Sequence, residues 1–148
     1  MTLRHEAGHA FCYVHGLYRL KEFKRVFKVR GDYYDTYPAD GWAPSPADRR
    51  AFATGRHLNL HCLKHPDDDF ANTFQHWLTP GSDWQARYKD SPGILSKFHL
   101  VETLARRYGR RPYKNDHRDL DVPLGELTFN AADYLRGEKL HAPGSGYA

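Results

Sequence analysis

Residues 5–15 read HEAGHAFCYVH, and the first five fit the pattern H-E-x-x-H. On a helix, residues four apart are separated by about 40° around the axis, so His5 and His9 leave one face within reach of a single ion. Glu6 follows His5 and is placed to act on a water in an open coordination position without itself being a ligand. Gly8 and Ala10 leave room for a neighbouring element to approach. The stretch therefore predicts a helix over residues 2–16, capped by Thr2 and stopped by Gly16.

A second parse makes His15 a third histidine ligand. The long three-histidine pattern needs a helix-breaking glycine before that histidine, and this chain has Cys12 there. His15 lies about 240° around the helix from His9 and faces away. The methionine turn of that pattern is missing as well, since the only methionine is Met1. His15 reads as a surface or second-face residue.

A carboxylate from a later helix is the other source of a third ligand. The segment HPDDDFANTF, residues 65–74, places Asp67, Asp68 and Asp69 at a helix start. Capping and the helix dipole account for acidic residues there, but three in a row exceed what a cap requires. Asn72 is one turn beyond Asp68 on the same face, where it could hydrogen-bond the free ring nitrogen of a liganding histidine. Asp68 as ligand with Asn72 behind it is the most economical arrangement.

These two segments carry a resemblance. RHEAGHA and HPDDDFANTFQHWLTPGSDW together resemble the zinc-binding metallopeptidase families of bacteria, which are similar to the glutamate-zincins. Their second motif runs roughly E-D-F-A-E-T-F, with the first Glu as third zinc ligand. Aligned residue by residue, that Glu falls on Asp68, the next Asp on Asp69 and the second Glu on Asn72. The resemblance spans about residues 3–108 in order and composition, and it is specific only at the two motifs.

It implies a mainly α, zincin-like helical core that binds Zn2+ through His5, His9 and Asp68, with Glu6 as general base for peptide hydrolysis. Asp68 is one methylene shorter than Glu and calls for a closer approach of the two helices. His61 stands seven residues before Asp68, where one glutamate-zincin carries a tyrosine that stabilises the developing oxyanion. A histidine can do that job, with Tyr33, Tyr34 and Tyr37 as competitors. In zincins a sheet precedes the active-site helix and holds the substrate backbone. Only four residues stand there in this chain, which reads as a shortened peptidase or a minimal relic of the fold.

The rest of the chain sets bounds. At 148 residues, with 40% hydrophobic and 14% aromatic residues, it can form one domain with a real core. We expect that domain over residues 1–109, followed by a basic linker and arm over 110–148 with a short helix at 130–136. A net charge of +4 is too small to argue for nucleic acid, and the basic stretches RLKEFKRVFKVR and ARRYGRR read as solvated faces. No apolar run approaches the roughly 20 residues of a membrane helix, and no signal peptide is visible. The expected partner is a peptide or protein substrate, with a cytoplasmic location as default. Cys12 and Cys62 lack framework spacing and read as buried thiols.

Among the other elements, residues 17–27 form an amphipathic helical stretch, and Ser45-Pro46 opens a helix through Phe52. RHLNLHCLKH, residues 56–65, resumes a helical pattern that would align His57, His61 and His65 for a second metal, although packing is the commoner use of such a stripe. Ser82 caps a short helix, and Ser91-Pro92 opens the clearest one, lined by Leu95, Phe98, Val101, Leu104 and Tyr108. A non-catalytic, zinc-stabilised binding module is the rival function.

Overall fold

The computed structural model describes residues 3–34, 38 and 42–112, with only the backbone of residue 51. They belong to the first of two units, Met1–Tyr113; the second, Lys114–Ala148, lies outside them, as do Thr2, Tyr37 and the expected helix at 130–136. The fold is mainly α. Among the described residues there are six α-helices and no strand: α1 Leu3–Val14, α2 Lys21–Val26, α3 Pro46–Ala53, α4 Pro66–Trp77, α5 Trp84–Arg87 and α6 Pro92–Tyr108. None is long and apolar enough to cross a membrane.

The principal core forms where α1, α2, α4 and α6 bring aromatic faces together. Cys12, Leu17, Phe23, Phe27, Phe70, Phe74, Val101 and Leu104 are buried there. Trp84 stacks on Phe98 with ring centroids 4.9 Å apart, and Ile94 completes a smaller cluster. The periodic face expected for α6 is occupied at Phe98, Val101 and Leu104, while Leu95 and Tyr108 are only partly buried.

The helices α1 and α4 approach closely at Gly8. A Cβ on Gly8 would lie 2.9 Å from the Cα of Ala71, closer than packed atoms tolerate. Glycine at this position is thus what allows the two backbones to meet. Ala10, by contrast, is exposed and takes no part in the approach.

Three local expectations change. Gly16 is left-handed (φ 58°) and divides α1 from a 3₁₀ turn at Leu17–Arg19, so residues 17–27 are not one helix. Asp83, not Ser82, caps α5, accepting from the Ala86 amide at 3.3 Å. The stretch at 56–65 forms only a 3₁₀ turn, Leu60–Leu63, before His65 turns extended ahead of Pro66. The three-histidine stripe is therefore broken.

Candidate metal centre

Because α1 and α4 meet at Gly8 and Ala71, His5 and His9, which flank Gly8, converge with Asp68, one turn before Ala71. His5, His9 and Asp68 each offer a ligand atom, all within 4.8 Å of one another. His5 Nε2 lies 3.0 Å from His9 Nε2, and Asp68 Oδ1 is 3.9 and 3.8 Å from the two nitrogens. Tetrahedral zinc with bonds of about 2.0–2.1 Å separates its ligand atoms by about 3.3 Å. Each edge of the observed triangle is within several tenths of an ångström of that value. Two imidazoles and one carboxylate are also the donor types zinc takes, so the residues fit the ion.

The electrostatics differ between the two histidines. Burial lowers the pKa of His5, with the charge of His9 adding to it. The pKa of His9 is raised, first by its hydrogen bond to Asp67. That bond joins His9 Nδ1 to Asp67 Oδ2 at 2.8 Å. Asp67 Oδ2 also accepts from the Tyr13 hydroxyl at 2.9 Å. A carboxylate on Nδ1 holds the proton there and leaves the Nε2 lone pair turned to the space between His5 and Asp68, the orientation a metal ligand needs.

Glu6, the residue after His5, is exposed on α1, and its charge partly offsets the lowering at His5 and adds a little to the raising at His9. His61 stands at the more open side: its side chain is 41% exposed, with Nε2 3.5 Å from Asp68 Oδ1 and its ring centroid 5.6 Å from that of His5.

Asn72 does not meet the ring of His5 or His9, as the sequence suggested. Its amide donates to the Asp68 carbonyl at 2.7 Å and lies 3.3 Å from His61 Nδ1. The residues that brace His9 are instead Asp67 and Tyr13. Tyr13 had a readable signal, being one turn beyond His9 on the same face of α1. Asp67 was hidden among three consecutive aspartates.

The other candidates have separate employment. His65 caps α4, its Nδ1 accepting from the Asp67 amide at 3.0 Å, and its Nε2 meets the Tyr33 carbonyl at 2.9 Å. His57 and Lys97 surround Asp69, with Lys97 Nζ 2.6 Å from Asp69 Oδ2. His15 packs against Phe11 and Tyr108. Tyr33 is buried and stacks on Tyr18, while the Tyr34 hydroxyl bonds that of Tyr18 at 2.9 Å. Cys12 and Cys62 are buried thiols, each pushed up to about 12 by burial. Arg19, Lys21, Lys24, Arg25 and Lys28 are exposed.

No protein-family model, no curated protein and no solved structure matches this chain.

Proposed function

We propose that this chain is a zinc-dependent peptidase of zincin-like character, with His5, His9 and Asp68 as the residues that hold Zn2+. The observation that carries the reading is the convergence of three ligand atoms within 4.8 Å, with Glu6 one residue along the same helix. When bound, zinc would acidify a water and polarise a peptide carbonyl.

The chain's own residues supply the rest. Glu6 removes the proton from the attacking water and delivers it to the departing amine. Asp67 keeps the His9 ring turned so that Nε2 faces the centre. His61, on the open side, is placed to steady the carbonyl oxygen as charge develops there.

Exchanging Glu6→Gln tests the reading. Hydrolysis of a fluorogenic peptide library should fall by about 10²- to 10⁴-fold, the usual worth of a general base. Zinc content should stay at that of the wild type. Hydrolysis that survives the exchange would remove Glu6 from the mechanism.

One observation favours a different reading. His61 Nε2 lies 3.5 Å from Asp68 Oδ1, outside the three-residue group, and a turn of its ring toward the centre would add a fourth ligand. A closed set of four would make the centre structural, in a zinc-stabilised binding module without catalysis. The wild type would then hydrolyse no peptide, and Glu6→Gln would change nothing.

A further inference from the structure

The choice between these two roles for His61 depends on which ring nitrogen carries the hydrogen, and a chain of amides leads to it. The Cys62 backbone N–H donates to Asn59 Oδ1 at 3.1 Å. A backbone N–H can only donate, so the oxygen end of Asn59 is set. Its Nδ2 therefore points the other way, donating to Asn72 Oδ1 at 3.1 Å. Asn72 is set from both ends, because its Nδ2 donates to the Asp68 backbone carbonyl at 2.7 Å, and a carbonyl can only accept. The same Nδ2 lies 3.3 Å from His61 Nδ1. Facing an N–H, Nδ1 must be the acceptor.

We propose that Asn59 and Asn72 are positioning residues that hold the His61 ring with its hydrogen on Nε2, making His61 a hydrogen-bond donor to substrate and not a metal ligand. Nε2 lies 3.5 Å from Asp68 Oδ1 on a side chain 41% exposed, so its hydrogen can be offered to an oxygen entering from the open side. Its hydrogen occupies the lone pair that a metal would need, while an N–H there suits an oxygen gaining negative charge. The substrate role rests on the peptidase reading above; the ring tautomer does not. A carboxylate at position 72 would accept from Nδ1–H and reverse the arrangement, leaving the Nε2 lone pair free to close the coordination set.

Long-range proton–nitrogen NMR of metal-free, ¹⁵N-histidine-labelled protein tests this at about pH 8.5, where imidazoles are largely neutral. The His61 signals are identified by their loss in His61→Phe. The wild type should show a pyridine-like Nδ1 and a pyrrole-like Nε2, and Asn72→Asp should exchange them. With zinc and peptide, Asn72→Asp should lower kcat by about tenfold or more, the scale of a lost oxyanion donor, with little change in KM.

A wild-type ring protonated at Nδ1 overturns the proposal, as does an unchanged ring in Asn72→Asp. Should that variant not fold, the wild-type spectrum alone decides the tautomer. An Nε2–H ring in a protein that cleaves no peptide would uphold the tautomer lock and sink the peptidase reading. Cleavage with an Nδ1–H ring would do the reverse.

Discussion

Asp68 and Asp69 are adjacent and both almost fully buried, at 5% and 1% exposure, yet they sit in opposite electrostatic settings. Asp69, on the side of α4 that meets α6, has its own cation: Lys97 Nζ at 2.6 Å, with His57 Nδ1 at 3.2 Å. Asp68, on the side that meets α1, faces His5, His9 and His61. A buried carboxylate costs several kcal/mol unless a charge compensates it. At the α4–α6 seam the chain carries that charge itself and makes a fixed strut. At the α1–α4 face the surroundings are titratable or neutral rings, an environment suited to a cation supplied from outside.

The largest effect should come from removing the internal cation. Lys97→Met leaves Asp69 buried with only the His57 ring beside it, at a cost of up to about 3–5 kcal/mol. Its Oδ1 already has no hydrogen-bond partner among the described residues. Urea unfolding measures the loss, and a loss below about 1 kcal/mol, the level of an exposed pair, would break the contrast.

Next is the helix contact on which the centre depends. In Gly8→Ala the new methyl would meet Ala71 at 2.9 Å, so α1 must move away from α4. Overpacking of this kind costs about 1–3 kcal/mol. Because the same movement draws His5 and His9 from Asp68, zinc affinity should fall by about tenfold or more, a loss of about 1.4 kcal/mol on the binding scale. Titration with zinc checks it, and unchanged affinity would separate the centre from the helix contact.

The smallest effect has the opposite sign. Asp68→Asn in chelator-treated protein at about pH 8.5, where imidazoles are mostly neutral, removes a buried charge that lacks a fixed cation. The helix N-terminus loses up to about 1 kcal/mol of dipole interaction, which is less than the relieved desolvation. Metal-free stability should therefore rise by about 1 kcal/mol, the remainder after the dipole loss. Asp69→Asn should lower it. Two neighbouring substitutions with the same sign would remove the distinction between the two sides of α4.

Much of the scaffold was legible because it depends on local periodicity. The i,i+4 spacing of His5 and His9, Pro66 at the start of α4, and the apolar repeat of α6 are visible without knowing any neighbour. The division of work among Asp67, Asp68 and Asp69 was not. Successive helical residues turn by about 100°, so the three carboxylates face three directions. What lies in each direction is decided by partners distant in sequence: Tyr13 and His9 for Asp67, Lys97 for Asp69. The histidines at 57, 61 and 65 were obscured for a similar reason. Asn59 caps a 3₁₀ turn at Leu60–Leu63, and His65 extends before Pro66, so a four-residue spacing that would align them on a helix sends them to separate sites.

The most direct test of the α1–α4 centre is zinc titration of metal-free protein, comparing wild type with Asp68→Asn, with elemental analysis of the dialysed products. Our account predicts one tightly held zinc per wild-type chain and loss of most of that affinity in the variant, while circular dichroism shows both helical. Equal zinc retention by the two proteins, or none in the wild type with its helices intact, would contradict it.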